Sequence, residues 1–320
     1  MIDDTIPLLK STTLANIDLR ARALSREMEH GQFTRLRRGV YVDARTWASL
    51  RPDERYRILV HATASTVSPG SQFCRESAAA LWHLPRVGAW PCELHLTSNV
   101  ASGRRSSSGL VVHATGRDEH PVEFNNASAT SLVRTVVDVG RTNTFLNAVV
   151  VMDAALSPPE DGSFRSRMGI RPLTHGQLRD HLDGSSVVRG SAHAARALSF
   201  ANGQSGSVGE SLSRVQFLVL SFPPPFLQVP FYDAEGFIGY ADFYWPELDL
   251  IGEFDGEVKY KGARYLRGRL PEEVFAAEKR RENRMRRVVR AFERWDWATA
   301  IDQRALAARL MPHGLMPVTR

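Results

Sequence analysis

The chain has 320 residues, 43% of them hydrophobic and 24% charged, enough for two or three packed domains. It lacks any run of about 18 apolar residues, and its start, MIDDTIPLLK, has no basic segment followed by a hydrophobic one, which excludes a membrane span and predicts an unexported, cytoplasmic protein. Cys74 and Cys92 stand alone without a CxxC pair, which excludes a disulfide framework or a cysteine zinc site, and the net charge of +6 favours polyanionic partners.

The positive charge is concentrated rather than spread. Arg20 to Arg57 holds ten arginines against five acids, Arg264 to Arg294 holds eleven basic residues against five acidic ones, and the remainder is net acidic. Two basic patches far apart in sequence suggest one long polyanion or two contacts on it, DNA first and RNA second; solvated helix faces with internal ion pairs are the plain alternative.

In chain order, Leu19 to Glu29 has helical periodicity, His30 and Gly31 end the helix, and Phe33 to Val42 alternates as a hairpin turning at Gly39. This reads as a winged helix over 1–58, in which a helix bearing Arg20, Arg22 and Arg26 enters a major groove while Arg35, Arg37 and Arg38 meet phosphates. A basic hairpin packed internally is the other reading. The run HGQFTRLRRGVYV resembles the N-terminal domain of AbiEi-type antitoxins from type IV toxin-antitoxin systems, which implies operator binding and a cognate toxin or a homodimer as partner.

Residues 59–156 look like a small α/β middle domain of the same antitoxin-like architecture. Glu76 to Leu84 is an Ala-rich helix stopped by Pro85, strands follow at Cys92 to Thr97 and Leu110 to Thr115, and Ser128 to Leu156 is helical with a core-type apolar pattern. His83, His95 and His113 show no metal-ligand spacing and read as structural. From 157 to 204 the chain reads as a helical linker region: a Pro-, Gly- and Ser-rich stretch to Pro172, then short helices at His175 to Asp183 and Ser191 to Phe200.

The most informative stretch is Tyr240 to Lys261, YADFYWPELDLIGEFDGEVKYK, within 205–320. As a hairpin with strands near Phe237 to Tyr244 and Asp249 to Asp255, alternation puts Glu253 and Asp255 on one face with Asp242 opposite or diagonal to Glu253. Three carboxylates crowded on a mostly apolar sheet call for a cation between them, and an oxygen-only site suits Mg²⁺ or Mn²⁺. An edge strand with solvated acids is the alternative. The spacing resembles the PD-(D/E)XK nuclease superfamily, and more closely its Vsr-like and DUF559-type endonuclease domains. That resemblance implies a restriction-endonuclease-like α/β domain, with Asp242 and Glu253 as metal ligands and Asp255 where the motif has Lys. Lys259 is then the nearest substitute for orienting the attacking water. SGSVGESLSR, Ser205 to Arg214, resembles the opening helix of such domains, with Glu210 as a further ligand. Only four lysines occur against 37 arginines, and Lys259 and Lys261 are two of them, where an ammonium can pass a proton that a guanidinium cannot.

After the metal strands, Pro271 with Glu272 and Glu273 starts a helix whose run EKRRENRMRR offers Lys279, Arg280, Arg281, Arg284 and Arg287 to phosphate. Val288 to Trp297 then supplies a last strand, with Trp295 and Trp297 as core fillers or, alternatively, base-stacking rings. The expectation is a multidomain α+β and α/β protein that binds DNA and hydrolyses phosphodiesters with a metal. A transcriptional regulator or antitoxin with an inactive nuclease-like scaffold is the alternative.

Overall fold

The computed structural model describes residues 8–10, 31–68, 70–98, 109–256 and 271–318. The chain is a mixed α/β, multidomain protein, with a first unit that ends at Phe200 and a second that begins at Ala201. Three sheets form among the described residues, and none of the described helices is long and apolar enough to cross a membrane. The helix expected over Leu19 to Glu29, with Arg20, Arg22 and Arg26, lies outside the described residues, as do Lys259 and Lys261.

In the first unit, β1 (Leu9–Lys10), β2 (Phe33–Arg37) and β3 (Val40–Asp43) form an antiparallel sheet in the order β1-β3-β2. The register breaks between Arg35 and Arg37, and Gly39 takes the turn at φ 74°, a conformation a side chain would strain. Asp43 caps α1 (Ala44–Ser49) by accepting from the Thr46 N–H at 2.7 Å. Leu36, Val40, Val42, Ile58 and Ala62 bury the sheet against α2 (Pro52–Ala64). That helix runs through the expected boundary at residue 58. Its Tyr56 hydroxyl donates to the Glu93 carbonyl at 2.8 Å and its Arg57 donates to His83 at 3.2 Å, so hairpin and middle segment share one helix.

Five strands form the next sheet in the order β6-β5-β4-β8-β7: β4 (Gln72–Phe73), β5 (Leu94–Thr97), β6 (Leu110–His113), β7 (Val122–Phe124) and β8 (Ala127–Ala129). α3 (Arg75–Leu81) packs beside it. The helical stretch to Leu156 is two helices, α4 (Leu132–Thr142) and α5 (Phe145–Leu156), because Thr144 caps the second by accepting from the Asn147 N–H at 3.3 Å. Residues 157–172 are more than a bare connector. Their short α6 (Phe164–Arg167) buries Phe164, and Arg165 donates to the Ala154 and Ala155 carbonyls near the C-terminus of α5. α7 (His175–Gly184) and α8 (Ser191–Phe200) add buried Leu178, Leu182, Ala194, Ala197 and Leu198 to the same unit.

In the second unit, α9 (Val208–Val219) precedes an antiparallel meander of β9 (Phe226–Asp233), β10 (Gly236–Trp245) and β11 (Leu250–Phe254). α10 (Pro271–Val288) then crosses over to β12 (Ala291–Trp295), which pairs parallel with β11 and completes the order β12-β11-β10-β9. The last strand is shorter than expected. Asp296 accepts from the Thr299 N–H at 2.9 Å and starts α11 (Trp297–Ile301), followed by α12 (Gln303–Leu310). Trp295 is therefore core, 1% exposed, while Trp297 is 39% exposed.

An apolar core lies on each side of this sheet. Ile238, Ala241, Ile251, Met285 and Phe292 form one cluster, and Phe217 of α9 meets the rings of Phe243, Trp245 and Trp295 in the other. The indoles keep their hydrogen bonds, Trp245 to the Pro223 carbonyl at 2.8 Å and Trp295 to the Ser213 hydroxyl at 2.9 Å. Gly252 makes the room for them. A Cβ there would stand 2.5 Å from the Trp295 ring and 3.1 Å from that of Trp245. Gly252→Ala is therefore expected to destabilise the second unit by about 1–3 kcal/mol, read from the midpoint of urea unfolding followed by tryptophan fluorescence.

Candidate functional site

The acids of the second unit gather in two groups. The first starts at the N-terminus of α9, where the Ser207 hydroxyl accepts from the Glu210 N–H at 3.2 Å. The carboxylate of Glu210, largely buried, accepts from the Gly206 N–H at 2.8 Å and from the Gln228 side-chain amide at 3.1 Å. The same Gln228 nitrogen lies 3.3 Å from Asp242 Oδ1, while Asp242 Oδ2 accepts from the Phe254 N–H at 2.9 Å. Gly209 sets the spacing, since its bare Cα lies flush against the Phe254 ring and lets the helix terminus approach the end of β11.

Gln228 is the residue that sequence reasoning missed. It has φ 50°, a left-handed conformation uncommon outside glycine, within a strand whose neighbours Leu227 and Val229 pair with Phe243 and Ala241. Its amide nitrogen thus stands between two acceptor-only carboxylates. Rotation of the amide would present an oxygen to the same position. No pattern in the sequence marks a glutamine for that place.

The second group surrounds Glu253, which is 4% exposed. Parallel register sets Arg294 beside it, and Arg294 Nη2 donates to Glu253 Oε2 at 2.7 Å and to Glu278 Oε1 at 2.8 Å. Arg281 Nη2 donates to both Glu253 oxygens, at 2.9 and 2.7 Å, and to Glu278 at 2.9 Å. Arg294 also comes within 3.8 Å of Asp255 and 3.6 Å of Glu282. A buried carboxylate is costly unless met by charge and hydrogen bonds, and here two guanidiniums supply both. Burial pushes the Glu278 carboxyl up, but the hydrogen bonds and charges of Arg281 and Arg294 outweigh it and hold the group at about 2.

The three acids expected to share an ion are thus divided, with Asp242 joined to Glu210 through Gln228, and Glu253 and Asp255 both facing Arg294. Among the described residues no three His, Cys, Asp or Glu side chains are grouped to hold one metal ion. In the first unit, His95 and His113 meet at 3.0 Å, with Glu76 3.7 Å from the other His95 nitrogen.

The basic residues divide as well. Arg281 is spent on Glu253 and Glu278, and Arg284 grips Asp233 with bonds of 2.8 and 2.5 Å, which hold that carboxyl at about 2. Lys279 lies 3.8 Å from Glu282 with most of its side chain in solvent. Arg280 and Arg287 are exposed and make no ion pair among the described residues. On the hairpin of the first unit, Arg35 and Arg38 are exposed. Arg37 is committed, donating to the Thr63 hydroxyl at 2.7 Å and the Gly109 carbonyl at 3.5 Å, with burial pushing its pKa down. Arg22, Arg26 and Lys259 lie outside the described residues.

No protein-family model matches the chain, and no curated protein is significantly similar to it.

The network around Glu278 carries a pH signature. A carboxyl held below its ordinary 4.5 stabilises the fold above that value, and this contribution is lost as pH falls towards about 2. Glu278→Gln is expected to be less stable than the natural chain at neutral pH and to converge with it at and below about pH 2, measured by urea unfolding across that range.

Proposed function

We propose that this chain is a DNA-binding protein whose second unit is a metal-dependent endonuclease-type domain acting on phosphodiesters. The observation that carries the reading is the convergence of Glu210 and Asp242 on the Gln228 amide, which brings an acid of the opening helix to an acid of the second meander strand. The order of elements supports it: the opening helix, the strands that carry the acids, the basic helix and a last strand follow one another as the resemblance to nuclease-type domains implies.

The donor set fits a hard divalent cation in part. Glu210 and Asp242 offer oxygens that already approach one donor, whereas both Glu253 oxygens are taken by guanidiniums. Mg²⁺ or Mn²⁺ held by Glu210 and Asp242 would supply Lewis-acid polarisation of a phosphodiester. Around it, the Phe254 N–H orients Asp242 and the Gly206 N–H orients Glu210. Arg280 and Arg287 are the cations of α10 most open to phosphate, and Arg35 and Arg38 are those of the winged-helix-like hairpin. Lys259 remains the proposed residue for orienting water.

A second reading is favoured by one observation. Arg294 serves both Glu253 and Asp255, the position where the nuclease motif has Lys, as expected if an ion-pair network had replaced the catalytic cluster. The chain would then be an antitoxin-type transcriptional regulator that binds DNA, alone, as a homodimer or with a cognate toxin, without cutting it.

Supercoiled DNA incubated with Mg²⁺ or Mn²⁺ separates the two. The endonuclease reading expects nicking that falls by about a hundredfold or more in Asp242→Asn and Glu210→Gln with duplex affinity retained. Tight duplex binding without nicking by the natural chain selects the regulator. For the first unit, Arg35→Ala and Arg38→Ala are each expected to weaken duplex binding regardless of sequence and to lower the salt dependence of log K by about one, measured by fluorescence anisotropy.

A further inference from the structure

A cavity of about 740 Å³ opens in the first unit between α4, the C-terminal end of α7 and residues 115–120. That volume lies within the range of small-molecule sites, but the walls are polar, with Val133 and Val187 as the aliphatic side chains among three arginines, four acids and two histidines. Charges so nearly balanced suit a ligand that carries no net charge, and walls so polar suit one made of hydrogen-bonding groups.

Asp138 sets the chemistry. It is 8% exposed, one turn after Arg134 and one before Arg141 on α4, yet its carboxylate accepts no hydrogen bond among the described residues: Arg134 Nε stands 3.5 Å away and Arg141 Nη1 3.8 Å away. Burial pushes the carboxyl up although Arg134, Arg141, Arg75 and His181 pull it down. The groups around it are otherwise engaged. Arg141 fastens α4 to α7, donating to the Ser185 hydroxyl and the Leu182 carbonyl, each at 3.2 Å. Asp118 accepts from the Ser131 N–H and hydroxyl, both at 2.7 Å. Arg134 gives Nη2 to the Thr115 and Gly116 carbonyls at 3.0 and 2.6 Å, which leaves its Nη1 without a hydrogen bond among the described residues. A buried acceptor and a donor thus stand side by side on the cavity wall, each short of a partner.

A hydroxyl meets both needs, since it donates to a carboxylate and accepts from a guanidinium. An ammonium on Asp138 would instead stand against the arginines that already flank it, and a phosphate or carboxylate on Arg134 would stand against Asp138. We propose that this cavity binds a small, uncharged, polyhydroxylated ligand, a sugar or cyclic polyol, with Asp138 accepting from its hydroxyls and Arg134 donating to them. The site goes beyond the proposed DNA chemistry and does not depend on it.

The test is isothermal titration calorimetry of the full chain with D-glucose, D-galactose, D-mannose, D-ribose, D-fructose, myo-inositol, sucrose, maltose and lactose, of which at least one is expected to bind. Asp138→Asn, which keeps the shape of the side chain, is expected to weaken that ligand by about ten- to 100-fold while keeping the elution volume and circular dichroism of the natural chain. The same variant is expected to lose the natural chain's preference for the sugar over its singly deoxygenated analogues, a selectivity that a merely structural Asp138 would not alter. Ser186→Trp, at an exposed position on the cavity wall, is expected to abolish binding without a change at Asp138.

No heat of binding from any of these sugars would overturn the site and leave the cavity to solvent. Binding that survives both Asp138→Asn and Ser186→Trp would place the sugar elsewhere on the chain and overturn it equally. Glucose 6-phosphate, L-glutamate or L-lysine held more than about tenfold tighter than every neutral sugar would overturn the uncharged ligand.

Discussion

Glu253 sits almost out of water in the middle of a four-stranded sheet, and a carboxylate in that position must be met by positive charge. Two arginines meet it, and each arrives by a different structural route. Arg294 comes from the neighbouring strand, because β12 pairs parallel and in register with β11, while Arg281 comes from the crossover helix that the parallel pairing requires. The crossover therefore does two things at once. It closes the apolar core through Met285 and supplies the guanidinium that lets Glu253 remain buried. Glu278, one turn before Glu282 on the same helix, accepts from both arginines as well.

Satisfying Glu253 in this way determines what is left for an ion. Asp242, in the strand next to Glu253, takes its bonds from the Phe254 N–H and from Gln228, and Glu210 reaches the same glutamine from the helix N-terminus. Gln228 thus ties Glu210 to Asp242, while Glu253 and Asp255 both face Arg294. A divalent ion competes more easily with an amide than with a pair of guanidiniums, since the amide carries no charge to be displaced. At Glu253 both carboxylate oxygens accept from Arg281, so a cation there would have to displace a guanidinium.

Much of the second unit was legible because its signals are local. The alternation around Asp242 and Glu253 gave the hairpin, realised as Gly236–Trp245 and Leu250–Phe254, and Pro271 with its two glutamates marked the start of the basic helix. The break at Thr144 and the helix start at Asp296 were also written in capping residues, but the apolar pattern running through them suggested one long helix and a longer last strand. β9 was hidden by its prolines. Pro230 is tolerated there because β9 is an edge strand, a property of the assembled sheet and not of the segment.

The chemistry of the site was less legible than its fold, for a physical reason. Residue type and spacing state which groups can bind a cation, whereas the partner each group takes depends on contacts between residues far apart in sequence. Arg294 is 41 residues from Glu253 and Gln228 is 18 from Glu210. The same holds for the basic helix, whose run of cations looked uniform. Arg281 and Arg284 are consumed by acids brought to them from other strands, whereas Arg280 and Arg287 are exposed and make no ion pair among the described residues. A run of cations that is uniform in the sequence is thus divided by the fold, residue by residue, between internal counterions and solvent.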